Sequence, residues 1–144
     1  MLTKNGNCFF GKNTPTSANA WILTNGQTLA GNNGVSPSAI NNVNNFYIIV
    51  GSSNIEPSVD DYYLKDAKAL TKISSTRTNP DSNSDFMINV QTVLKNETNE
   101  TIVVKEVGLI GTGYNSWTFL LLREVLPEPI IIQPNKKYLF NMTI

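Results

Sequence analysis

Phe86-Met87-Ile88-Asn89-Val90-Gln91-Thr92-Val93-Leu94 opens the stretch that decides the fold. Phe86, Ile88, Val90 and Leu94 fall on one face, with Asn89, Gln91 and Lys95 on the other. This is the two-residue period of a half-buried strand. Three further apolar runs follow at residues 101–110, 117–126 and 130–144, the last interrupted by Gln133-Pro134-Asn135. In that last run Tyr138, Phe140, Met142 and Ile144 alternate with Leu139, Asn141 and Thr143. Trp117-Thr118-Phe119-Leu120-Leu121-Leu122 is apolar on both faces, which predicts an inner strand or one covered by a partner chain. The turns at 95–100, 111–116 and 133–136 are short enough for hairpins, so the four runs read as an antiparallel meander.

Upstream, Phe46-Tyr47-Ile48-Ile49-Val50, bounded by Asn45 and Gly51, and residues 70–78 are two more candidate strands. Between them, residues 52–68 contain Pro57 and the run Asp60-Asp61-Tyr62-Tyr63-Leu64. Ser58 or Asp60 could cap one or two helical turns there, and a plain turn fits equally well. Residues 1–45 hold two short apolar pieces, Cys8-Phe9-Phe10 and Ala20-Trp21-Ile22-Leu23, separated by Gly, Asn, Ser, Thr and Pro. They predict a loop-rich arm with one or two strands. A segment that buries so little apolar surface of its own is expected to order against a neighbouring subunit. The organisation expected is therefore an N-terminal arm over 1–45 and a β-domain over 46–144. About seven or eight strands in all predict an all-β fold, an antiparallel β-sandwich of Greek-key or jelly-roll type.

A chain of 144 residues fits one domain with a real core. Its 11 basic and 11 acidic side chains cancel, so nothing favours a nucleic-acid backbone or an anionic membrane as partner. Near-zero charge gives weak protection against association, which suits a protein that assembles as a homo-oligomer. The N-terminal residues are too polar for a signal peptide, and no apolar run approaches the roughly 18 residues of a membrane span. Asparagine, 20 of 144 residues, marks loops at Asn32-Asn33-Gly34, Asn41-Asn42 and Asn44-Asn45. Glycosylation triplets at Asn96, Asn99 and Asn141 are expected by chance in so Asn- and Thr-rich a chain.

The candidate chemistry is sparse. With no histidine and one cysteine, Cys8, the chain has neither Ser-His-Asp nor Cys-His machinery, and no structural zinc of the usual Cys/His kind. Cys8 reads as a small buried hydrophobe. Asp81-Ser82-Asn83-Ser84-Asp85 opens like a calcium loop, but Phe86 stands where Gly is needed and Thr92 where a bidentate Glu is needed, so a turn is expected. Glu56, Asp60, Asp61 and Asp66 could pair for glycoside hydrolysis only if two met across a cleft; a solvated loop is the expectation. Arg123 and Glu124 lie on the strand that is apolar on both faces, where charges need partners or a subunit boundary. Alternation separates them, and an exposed edge is expected. Gly108-Leu109-Ile110-Gly111-Thr112-Gly113 lacks dinucleotide-loop spacing. No catalytic, cofactor or metal site is expected, and the chain is not expected to be an enzyme.

The run Val50-Gly51-Ser52-Ser53-Asn54-Ile55-Glu56-Pro57-Ser58-Val59-Asp60-Asp61-Tyr62-Tyr63-Leu64 resembles a stretch of small structural proteins of tailed bacteriophages. Val104-Lys105-Glu106-Val107-Gly108-Leu109, then Leu120-Leu121-Leu122-Arg123-Glu124-Val125-Leu126, then Pro129-Ile130-Ile131-Ile132-Gln133-Pro134 leading into Tyr138-Leu139-Phe140, extend the resemblance over residues 46–144. Pro134-Asn135-Lys136-Lys137 stands where such proteins usually place a Gly-Glu turn. Heavy asparagine use is similar to that of phages of gut bacteria, including crAss-like ones. The resemblance implies a virion protein, foremost an auxiliary or decoration protein that stabilises the capsid by binding the major capsid protein or other virion proteins. It also accommodates a host-recognition module of a head fibre, tail fibre or tail tip, with loop 111–117 on host glycans. A neck or tail-assembly component is a further option.

Overall fold

A computed structural model describes residues 1–3, 5, 21–29, 45–78, 88–113 and 116–144. The expectations for Cys8, for the Asp81-to-Asp85 turn and for the asparagine clusters between 32 and 44 fall outside them. Among the described residues the named elements are nine strands: β1 (Trp21–Ile22), β2 (Thr28–Leu29), β3 (Asn45–Gly51), β4 (Ala67–Lys68), β5 (Thr71–Thr78), β6 (Asn89–Lys95), β7 (Ile102–Thr112), β8 (Thr118–Ile132) and β9 (Lys137–Thr143). They form a four-stranded sheet in the order β4-β3-β7-β8, a three-stranded sheet in the order β5-β6-β9 and the small β1-β2 hairpin, with every pairing antiparallel. The two larger sheets pack face to face as a β-sandwich.

The alternation seen in the sequence is what fills the core. Ile88, Val90 and Leu94 from one sheet meet Phe46, Ile48 and Val50 from the other, joined by Leu109, Phe119, Leu121 and Phe140. Burying each such side chain contributes roughly 1.5–3 kcal/mol. Residues 52–66 form neither strand nor helix, and Ser58 to Asp61 close a turn in which the Asp61 N–H donates to the Ser58 carbonyl.

The meander is where expectation and structure part. Of the three turns read as hairpins, only 111–116 joins paired neighbours, β7 and β8. The other two carry the chain between sheets, so β6 pairs with β5 and β9 instead of β7. Turn length alone does not choose between a hairpin and a crossing, since six residues easily span the ~10 Å between packed sheets. Asn96, fully buried, decides it by tying the two crossings together. Its N–H donates to the Lys136 carbonyl, its carbonyl accepts from Asn135 N–H at 2.7 Å, and its side-chain amide donates to the Glu100 and Ile132 carbonyls. With Thr98 also bonded to its Oδ1, the Asn96 side chain is committed to the fold and inaccessible to glycosylation.

The expected break between residues 126 and 130 is also absent. β8 runs through Pro127 and Pro129 as one strand, with a bulge that moves the β7 register from Val104–Ile130 to Glu106–Val125. Prolines are tolerated there because β8 is an edge strand with no ladder on its outer side. The inner-strand expectation for 117–122 is corrected in the same way. β8 is buried on both faces at Phe119, Leu120 and Leu121, yet its outer cover comes from the chain itself. Leu2 bridges to Leu122, Thr3 N–H donates to the Leu121 carbonyl, and Arg123 N–H donates to the Met1 carbonyl. Leu23 enters the core and Thr24 bonds Thr118 through both backbone and hydroxyl, so described parts of the first 45 residues dock on the sandwich.

Opposite β8, the sandwich is sealed by hydroxyls. β4 covers only Val50 and Gly51 of β3, leaving the backbone of Phe46 and Ile48 facing the other sheet. Thr92 Oγ1 accepts from Ile48 N–H at 2.9 Å, and Ser75 Oγ donates to the Phe46 carbonyl at 2.6 Å. Removing the Thr92 acceptor would orphan a buried N–H, so Thr92→Val, nearly identical in shape, is expected to cost about 1–3 kcal/mol in urea denaturation. A neutral result would mean that the seal contributes nothing.

Candidate functional site

The most organised polar site lies on the outer face of the four-stranded sheet. Alternation along β7 points Val107 and Leu109 into the core and Glu106 and Gly108 outward. On β8, Arg123 stands on the same outer side. Both charged side chains are fully buried. Arg123 Nε donates to Glu106 Oε2 at 2.7 Å, and Nη1 donates to Asp61 Oδ2 at 2.9 Å. The same guanidinium reaches two backbone carbonyls, Glu56 through Nη1 at 3.2 Å and Ile55 through Nη2 at 2.7 Å. One planar cation thereby holds both ends of a seven-residue stretch of loop 52–66.

Glu106 completes the grip. Its Oε1 accepts from Asp66 N–H at 2.9 Å and its Oε2 from Lys65 N–H at 3.4 Å, so the far end of the loop is fastened as well. Gly51 and Gly108 leave the necessary room. A β-carbon on Gly51 would collide with the Glu106 carboxylate and the Asp66 carbonyl, and one on Gly108 would come within 3 Å of Leu120 and Leu64. Asp61 accepts from Ser58 N–H at 2.9 Å and pairs with Lys65 at 2.7 Å. Burial pushes its carboxyl up, but the bonds from Lys65, the Ser58 amide and Arg123 outweigh that and hold it below the usual carboxylate range.

The expectation of an exposed edge for Arg123 and Glu124 is therefore half corrected. Glu124 lies on the opposite face, paired with Val107, and is exposed in the cleft between β8 and β9, while Arg123 is buried and paired across strands. Among the four loop carboxylates, Glu56, Asp60 and Asp66 are exposed and Asp61 is buried. Hydrogen bonds from Ser52 and Lys68 lower the Asp66 carboxyl at the surface. The buried carboxylates that meet are Asp61 and Glu106, and both are occupied by Arg123, an arrangement that fixes geometry and leaves no free acid or base. Glu106 drew no attention in the sequence; its available signal was an acidic residue amid Val104, Val107 and Leu109 on a strand apolar on both faces.

Directly above this clasp the loop exposes Ile55, Val59, Tyr62 and Tyr63, with Ile55 at 59% and Tyr62 at 45% of full exposure. Trp117, at the end of the loop 111–117 considered for glycan contact, lies half buried against the core. Among the described residues no group of three or more His, Cys, Asp or Glu side chains is placed to hold a metal ion. Comparison with protein-family models, curated proteins and solved structures finds no match.

Breaking the clasp leaves buried Glu106 facing no cation and Asp61 with Lys65 alone, so Arg123→Met is expected to cost about 3–5 kcal/mol. Limited proteolysis should then cut residues 52–66 first, and undiminished protection of that loop would contradict the anchoring role. Arg123→Lys should recover little, since an ammonium cannot reach two carboxylates and two carbonyls in one plane. The depressed Asp61 pKa stabilises the fold above the unfolded carboxylate value of about 3.9, and that contribution disappears as pH falls through the lower folded value. Asp61→Asn should accordingly give a shallower acid limb in a stability–pH profile than the wild type shows.

Proposed function

We propose that the chain is a structural protein of a tailed-bacteriophage virion, an auxiliary or decoration protein that docks on the capsid shell through loop 52–66. The observation that carries this reading is the row of exposed Ile55, Val59, Tyr62 and Tyr63 on a loop whose backbone is fixed from beneath. Apolar and tyrosine side chains gathered at a surface are the usual anchors of protein interfaces. Holding them in place before contact reduces the ordering cost of binding.

The phage resemblance supports the reading at the same place. Its first stretch, Val50 to Leu64, is the loop itself, and its second and third contain Glu106 and Arg123, which hold that loop. Binding to the assembled shell, through the major capsid protein or another virion protein, stabilises the particle by mass action and calls for no catalytic group. Exposed Tyr62 and Tyr63 also support a second reading, a host-recognition module that stacks the tyrosines on glycan rings.

The Tyr62→Ala/Tyr63→Ala double variant separates these roles from folding, because neither side chain belongs to the core. It should keep the wild-type melting temperature and lose about 2 kcal/mol or more of affinity for empty capsid shells in co-sedimentation. Shell binding that is unchanged in the variant would exclude this loop as the contact. Binding of the wild type to host cells and not to shells would transfer the function to host recognition.

A further inference from the structure

The sandwich has several sheet edges, and among the described residues all but one carry a device along their length that blocks strand addition. β4 is two residues long. β5 presents Lys72 and Arg77 and is irregular between Lys72 and Ser74. β8 is capped by Met1 to Thr3, and beyond them it carries Glu124, Pro127, Glu128, Pro129 and a bulge. Charges, prolines, bulges and covering segments are the established means of keeping an edge from pairing.

Among the described residues β9 carries only Lys137, at its first position, and no covering segment. From Tyr138 to Thr143 it has no charged side chain and no proline, and its pairing with β6 runs from Asn89–Thr143 to Lys95–Lys137 without a register shift. The bonding phase of its free side follows from its two ends. Ile144 and Ile88 exchange both backbone hydrogen bonds, and Asn96 N–H donates to the Lys136 carbonyl. In an antiparallel ladder the bonded residues alternate, so Tyr138, Phe140 and Met142 bond toward β6. Leu139, Asn141 and Thr143 direct their N–H and C=O groups away from it. Leu139 is 53% exposed.

We infer that β9 is a homodimerisation edge, pairing antiparallel with β9 of a second copy about a two-fold axis at Asn141. Self-pairing is favoured by the strand's own chemistry. In that register Asn141 faces Asn141, and Leu139 faces Thr143 of the second copy, so no like charges oppose each other along the pair. The two three-stranded sheets then become one six-stranded sheet. Beside this edge lies a cleft of about 330 Å³ whose lining includes Leu126 and Ile130 from β8 and Tyr138 and Met142 from β9. The second copy's Tyr138 and Met142 would approach its mouth. This inference does not depend on the virion reading, because it concerns the free chain in solution.

Sedimentation equilibrium over a wide concentration range, with amide hydrogen exchange on the same samples, tests it. The wild type should dimerise, and the Leu139, Asn141 and Thr143 amides should become protected as concentration rises. Asn141→Pro removes both hydrogen bonds at the two-fold axis and no bond to β6, and should raise the dissociation constant by about thirtyfold. Asn141→Lys, which places two cations face to face, should have a similar effect. A wild type that stays monomeric throughout overturns the inference. So does a dimer whose three outward amides exchange no more slowly than in the monomer. If either variant fails to fold, the wild-type exchange data alone still decide the matter.

Discussion

A fully buried guanidinium must find oxygen acceptors for its donors, and that requirement at Arg123 shapes the outer half of this protein. Glu106 and Asp61 neutralise it, while the Ile55 and Glu56 carbonyls satisfy its remaining reach. Satisfying Arg123 positions Glu106 to receive the Asp66 and Lys65 amides, which in turn demands a glycine at 51. A hydrophobic cluster of equal volume could be as stable, since the attraction between buried charges is largely offset by their lost hydration. Apolar side chains, however, would accept many loop arrangements. The fork of donors accepts few, so what the charges contribute is a single loop conformation.

The two long sides of the sandwich are managed differently. On one side, hydroxyls of Ser75 and Thr92 occupy the backbone positions of β3 that β4 is too short to reach, and the sheets are stitched together. On the other side, β8 and β9 end their sheets with a cleft between them. The sandwich is therefore closed like a hinged cover, fixed along one seam and open along the other. Lys72 and Arg77 lie beside the seam, whereas residues 138–143 of β9 bring no charged side chain to the opening, where Glu124 of β8 is the charge in the cleft lining.

How much of this was legible depended on the range of the interaction involved. Side-chain alternation is local, so Ile88, Val90, Leu94 and Phe140 could be placed in a core, and the strands read at 46–50 and 70–78 recognised, from spacing and composition alone. Partner choice is not local. Whether the turn at 95–100 makes a hairpin or a crossing depends on Asn96 meeting Lys136 and Ile132, which nothing within the turn reveals. The clasp was hidden for the same reason: Asp61, Glu106 and Arg123 stand in three separate segments, and although the setting of Arg123 calls for a partner, nothing local says which carboxylates supply it. Burial on both faces of β8 was visible, but its source was not, because the covering residues Met1 to Thr3 come from the opposite end of the chain.

That last contact constrains the order in which the protein can be built on the ribosome. Met1 bonds to Arg123, a partner 122 residues away, and Thr3 reaches Leu120 and Leu121. Residues 1–3 are synthesised well before the strand that receives them, and β6 likewise precedes its partner β9. Contacts of such long range are slow to form because the intervening chain must be closed into a loop before they stabilise anything. Residues 1–3 must therefore remain without these partners until β8 has been made.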